Sequence, residues 1–115
     1  MRIGELSRLA GVTASRIRFY EARAVLSRPA RSANGYRSYG PRDLKIIAFI
    51  ERAQRLGFAL AEIGAFLAAA SRERPNSEAL ISRLESKLGE IDAHLAEARR
   101  RRREIVALIR ELRAR

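Results

Sequence analysis

A mainly α-helical chain is predicted: an N-terminal winged helix-turn-helix with a small β-hairpin wing, then one long C-terminal helix that pairs with a second copy. Three features predict it. Two short amphipathic segments flank Gly11-Val12-Thr13. A basic stretch built around Asn34-Gly35 follows them. From Ser77 onward, apolar residues recur at alternating spacings of three and four, the period of a coiled-coil seam.

The first element is a short helix from Ile3 to Ala10, with Ile3, Leu6 and Ala10 on one face. Gly11 ends it, because glycine takes the left-handed conformation without a Cβ clash. Thr13 or Ser15 caps a second helix, from Ala14 to about Arg23. Two short helices about a tight turn form a helix-turn-helix, although a glycine between helices is also ordinary punctuation.

Asn34-Gly35 suits a type I′ hairpin turn, which needs positive φ at both central residues. Tyr36 and Tyr39 favour strands, and Arg28, Arg31 and Arg37 surround the turn. Such a hairpin is either a solvated surface loop or, directly after a helix-turn-helix, a wing that grips a nucleic-acid backbone. Pro41 opens a third helix, where a missing N–H costs nothing. Its stripe is Leu44, Ile47, Ala48, Ile50 and Leu56. Leu56-Gly57-Phe58 breaks it, and Leu60 to Ala70 forms a fourth helix with Ile63, Phe66 and Leu67 inward. The polar break from Arg72 to Asn76 marks the expected domain boundary, between a winged helix-turn-helix domain over residues 1–75 and a long coiled-coil dimerisation helix over residues 76–115.

The long helix runs from Ser77 to Leu112. Position a holds Ile81, Leu88, Leu95, Arg102 and Ile109, and position d holds Leu84, Ile91, Ala98, Ile105 and Leu112. At about 1.5 Å per residue it is roughly 50 Å long, too long to bury its stripe on the small N-terminal unit. A symmetric homodimer supplies the missing partner helix. Arg102 interrupts the seam; it either fixes register or lays its stem along the seam with its head in solvent. Val106 and Leu108 widen the apolar face, as a docking strip for the partner's N-terminal domain.

Composition narrows the function classes. The formal charge is +11, with 14 Lys/Arg against 6 Asp/Glu over residues 1–75 but only 10 against 7 over 76–115. The excess favours an anionic partner, nucleic acid before an acidic membrane surface, bound by the N-terminal part. The run Arg99 to Arg103 is a solvated helix face balanced by Glu97 and Glu104, or a second nucleic-acid contact. Aromatic residues are 6% of the chain, so the core must be aliphatic. With no cysteine, thiolate metal sites and disulfides are excluded, and no cofactor is expected. No signal peptide or membrane-length apolar run is present, so a cytoplasmic location is expected. The lone histidine, His94, falls on a seam flank, and no nucleophile, carboxylate pair or phosphate loop supports an enzyme.

Four ordered blocks resemble the MerR family of bacterial transcriptional regulators, across essentially the whole chain. They are Ile3-Gly4-Glu5-Leu6 with Gly11-Val12-Thr13; Ile17-Arg18-Phe19-Tyr20-Glu21 with Leu26 and Pro29; Arg31-Ser32 with Asn34-Gly35-Tyr36-Arg37 and Tyr39; and Leu56-Gly57-Phe58 with Leu60 and Glu62-Ile63. The resemblance implies residue roles. Arg18 contacts phosphate and groove, Tyr20 reaches the backbone through its hydroxyl, and Arg16 faces the major groove. Arg31, Tyr36 and Arg37 are wing contacts, and Arg55 is a further phosphate candidate. Tyr20 and Tyr39 fit either DNA contact or core packing. Guanidinium forks and phenol hydroxyls suit phosphate oxygens independently of any family.

The resemblance further implies an antiparallel coiled-coil dimer on a palindromic promoter operator, which it distorts for RNA polymerase under control of an effector. The sequence departs from the family twice. Ala24 stands where a glycine is usual, and the cysteines of the metal-responsive branch are missing. Two other readings follow: a constitutive repressor or architectural factor without an effector, and a coiled-coil interaction module without DNA. The effector, the operator and the sign of regulation are not written in the sequence.

Overall fold

The computed structural model describes residues 1–29, 35, 38–72 and 77–115, with the side chains of 71 and 72 excepted. They form five helices: α1 (Ile3–Ala10), α2 (Ala14–Ala22), α3 (Pro41–Arg55), α4 (Leu60–Arg72) and α5 (Ser77–Arg113). No strand occurs among the described residues. The hairpin expected about Asn34 lies mostly outside them; Gly35, which is described, has φ +84°. The chain divides into two compact units, Met1–Pro75 and Asn76–Arg115.

In the first unit α1 packs on α2 and α3, and α3 packs on α4. The core is aliphatic apart from two tyrosines: Leu6, Ile17, Tyr20, Val25, Leu26, Tyr39, Ile47, Ile50, Ala53 and Ile63. Each helix contributes at its own period. Ile17, Tyr20 and Glu21 are the buried residues of α2, and Ile47, Ile50 and Ala53 those of α3. The caps are local and polar. Thr13 Oγ1 accepts the Arg16 N–H at 3.0 Å, which starts α2. The Asp43 carboxylate accepts the Gly40 N–H at 2.8 Å ahead of α3, and Glu62 Oε1 accepts the Ala59 N–H at 2.9 Å ahead of α4. Met1 and Tyr39 exchange two backbone hydrogen bonds, both 2.7 Å, tying the start of the chain to the segment before α3.

Gly11 closes α1 in the left-handed conformation, φ +69°, as its position requires. Ala24 does the same work after α2 without glycine's freedom, at φ +57°. The Val25 N–H reaches the Tyr20 carbonyl and the Ala24 N–H the Glu21 carbonyl, both at 3.0 Å, the paired closure of a Schellman motif. The left-handed region costs a Cβ-bearing residue about 1–2 kcal/mol. Ala24→Gly is therefore expected to stabilise the N-terminal unit by about 0.5–1 kcal/mol after glycine's extra chain entropy is set against that strain. Thermal unfolding checks this; an unchanged or lower midpoint would show that the turn carries no strain.

In the second unit α5 spans 37 residues, roughly 55 Å, and buries none of them. Ion pairs within the helix include Lys87–Glu90 at 3.0 Å, Arg100–Glu97 at 2.6 Å, Arg100–Glu104 at 3.2 Å and Arg101–Glu97 at 3.2 Å. Such exposed i,i+3 and i,i+4 pairs add only a few tenths of a kcal/mol each. The apolar stripe along the helix stays exposed.

Candidate nucleic-acid interface

The second helix presents two faces. Ile17, Tyr20 and Glu21 point into the core, which turns Ser15, Arg16, Arg18, Phe19, Ala22 and Arg23 outward. Arg18 is exposed and, among the described residues, holds no ion pair or hydrogen bond through its side chain. Arg16 leans toward α3, its guanidinium 3.3 Å from Glu51 Oε1. The carboxylate is the more buried partner, with 17% of its side chain exposed against 53% for the arginine. The ion pair aims Arg16 while leaving the guanidinium open to a second acceptor.

The same α2–α3 seam holds Tyr20. Its hydroxyl donates to Gln54 Oε1 at 3.0 Å. Burial, and next the neighbouring Glu51 carboxylate, push its phenol above the usual value, while Arg16 pulls the other way. The phenol therefore stays neutral and remains a donor across the physiological range. Tyr20 is 1% exposed, so its principal role in this structure is to join α2 to α3. Arg55 lies one helical turn beyond Glu51 on α3 and is exposed.

Tyr39, for which the sequence leaves DNA contact and core packing both open, is buried. It is 3% exposed, and its hydroxyl donates to Glu21 Oε1 at 2.9 Å. The physical reason is the Glu21 carboxylate, 6% exposed on the inner face of α2. A buried carboxylate requires hydrogen-bond donors, and the phenol supplies one. Tyr39 therefore belongs to the core, as the packing alternative had it. Arg31, Tyr36 and Arg37 lie outside the described residues.

Sequence reasoning missed three participants. Glu51 and Gln54 orient Arg16 and Tyr20 across a tertiary contact that has no local signature. Arg23 lies with its guanidinium carbon 5.1 Å from the centroid of the Phe19 ring, a cation–π contact at i,i+4 spacing that could have been read from the sequence. It holds a cation at the outer end of α2 and covers part of Phe19, which remains 45% exposed.

Other chemistry is not assembled here. Among the described residues no group of three or more His, Cys, Asp or Glu could hold a metal ion. A shallow groove lined by Arg23, Ala24, Val25, Leu60, Ala61, Gly64 and Ala65 offers no carboxylate, thiol or imidazole. No described helix is long and apolar enough to cross a membrane.

On α5, Ile81, Leu84, Leu88, Ile91, Leu95, Ile105, Ile109 and Leu112 are between 39% and 59% exposed. Ala98 and Arg102 are exposed among them. The apolar positions lie along one stripe of the helix and no residue of the unit covers them. A contiguous exposed stripe of this length marks an interaction surface.

Comparison with known proteins places this arrangement. Residues 1–70 match the model for MerR HTH family regulatory proteins, and residues 44–108 match the model described as MerR, DNA binding. The HTH-type transcriptional regulator HmrR of Sinorhizobium medicae is 40% identical over 86 residues, covering 74% of this chain and 58% of that protein. A transcription regulator from Ralstonia metallidurans CH34, solved in complex with lead(II), is 35% identical with a TM-score of 0.64, over 97% of this chain and 82% of its own. The fold is shared with HiNmlR, a MerR family regulator lacking the sensor domain and solved bound to promoter DNA, at a TM-score of 0.67 and 21% identity over 87% of this chain and 76% of that one. The chain spans just over half the length of the curated relatives it matches. On the two family matches, which between them run from the helix-turn-helix well into the long helix, the chain belongs to the MerR family of regulatory proteins.

Proposed function

We propose that this chain is a DNA-binding transcriptional regulator that acts in the cytoplasm as a homodimer on a twofold-related promoter operator. The observation that carries the reading is the outer face of α2: an exposed Arg18 that has no side-chain partner among the described residues, flanked by Arg16 held from behind by Glu51. A helix whose inner face is fully packed, and whose outer face is cationic, enters a major groove and meets phosphates at its rim. Arg31, Tyr36 and Arg37 of the wing and Arg55 of α3 would extend the phosphate contacts, with Tyr20 positioning α2. Pairing through α5 would double these units and match the symmetry of the operator. Two clamps joined by a stiff spacer can bend and untwist the DNA between them, at a cost of about 1–6 kcal/mol offset by added phosphate contacts. RNA polymerase would act on the promoter so distorted.

Arg18→Ala tests the site. It is expected to weaken binding to operator and nonoperator DNA by comparable factors, about tenfold, and to lower the salt slope by about one. A loss confined to one operator base pair would instead assign Arg18 to base readout. A second reading is regulation without an effector. Screening metals and small molecules for a shift in melting and in promoter transcription checks it. One ligand that switches transcription would refute it.

A further inference from the structure

We propose that Asp92 is the residue by which α5 selects a second copy of itself, accepting Arg99 and Arg102 of that copy and so fixing an antiparallel pairing in one register. The proposal rests on the reading that α5 pairs antiparallel with a second copy, as the family resemblance implies, and adds the charged residues that set its register.

The argument begins with charges that α5 does not use on itself. Lys87, Glu90, Glu97, Arg100, Arg101 and Glu104 are all engaged in ion pairs along their own helix. Asp92, Arg99 and Arg102, among the described residues, hold no ion pair or side-chain hydrogen bond within the chain, and all three are exposed. Asp92 and Arg99 are seven residues apart, so they lie on the same flank of the helix, beside the a positions. That flank, position e, reads Glu78, Glu85, Asp92, Arg99, Val106, Arg113. Its first half is acidic and its second half is basic wherever it is charged.

A flank that changes sign at its middle complements itself only when the second helix runs the other way. In an antiparallel pair, a positions layer against d positions, and e positions of one helix border e positions of the other. Setting Ile81 against Leu112 of the second copy also sets Leu95 against Ala98 and Arg102 against Ile91. Every apolar layer is then filled, and the twofold axis passes between Ala96 and Glu97. In this register Asp92 borders Arg99 of the second copy, and Glu78 borders Arg113. Arg102, the one charge in the seam, comes beside the same Asp92, which gives its head an acceptor at the edge of an apolar layer.

The competing arrangements are each penalised. A slide of one heptad in one direction brings Asp92 onto Asp92, and in the other brings Arg99 onto Arg99. A parallel pair sets Arg102 against Arg102 inside the seam. Like charges so placed act against the wrong partner more than opposite charges act for the right one.

The experiment uses the full chain with two separate variants, Asp92→Lys and Arg99→Glu, examined by sedimentation equilibrium alone and mixed in equal amounts. Each variant alone places like charges on both e flanks and is expected to self-associate about tenfold more weakly than wild type, or worse. In the mixture the introduced lysine borders the introduced glutamate while native Arg99 borders native Asp92. A heterodimer recovering most of the wild-type affinity is therefore expected. Recovery on mixing also shows that both variants are folded. Wild-type self-association by either variant alone would overturn the proposal, as would a mixture no tighter than its components. A wild-type chain that stays monomeric would instead overturn the self-pairing on which it rests.

Discussion

Leu95→Glu is expected to turn the proposed homodimer into monomers while leaving the helix intact, and to lower operator affinity by about a hundredfold or more as the second DNA-binding unit is lost. Leu95 lies near the middle of the α5 stripe, 47% exposed. On pairing, each copy would bury a carboxylate where it had buried an isobutyl group. The lost burial is about 1.5–3 kcal/mol per copy, and desolvation of the charge adds to it. Both sites change at once in a symmetric pair, so the penalty counts twice. Within a single chain the substitution breaks nothing, since α5 buries none of its residues. Light scattering should therefore report the chain mass with unchanged helical circular dichroism per molecule. A variant that stays dimeric would remove this stripe from the interface. A variant that becomes monomeric but still binds operator with wild-type affinity would show that the two units do not act together.

The second large effect lies in the core. Tyr39→Ala is expected to destabilise the N-terminal unit by about 3–5 kcal/mol, enough to unfold a large share of it. The ring is buried, and its hydroxyl donates to the buried Glu21 carboxylate at 2.9 Å. Tyr39→Phe separates the two contributions. It keeps the ring and withdraws one donor from the carboxylate, at about 1–3 kcal/mol. Because the hydroxyl is turned inward, the phenylalanine variant should bind DNA like wild type once the comparison is made per folded molecule. A loss of affinity at full folding would return Tyr39 to the set of DNA contacts.

These two residues show what could be read from the sequence and what could not. The Leu95 stripe was legible because a repeat of seven is a property of the chain alone, and it fixes which residues share a face before any tertiary contact is known. The short helices were legible for a similar reason: Gly11, Thr13 and Pro41 act on the backbone locally, and the helices of the structure begin and end beside them. For Tyr39 the sequence left core packing and DNA contact equally open. The residue follows a basic stretch, where a phenol fits a phosphate as well as it fits a core. What decides the matter is Glu21, eighteen residues earlier, whose burial depends on how α2 packs. Glu51 and Gln54 escaped for the same reason, since their importance comes from the Arg16 and Tyr20 side chains across the α2–α3 contact. Ala24 lies between the two cases. The sequence shows an alanine where a turn wants glycine, but only the backbone shows that the left-handed angle is kept nonetheless.

The measurement that bears most directly on the whole account is genomic footprinting of the sites the chain occupies in its cell. If two joined units each place an α2 helix in a major groove, the protected sites must be inverted repeats with a fixed spacing between half-sites, and they must lie within promoters. Occupied sites without twofold symmetry, or scattered evenly along the chromosome, would contradict it.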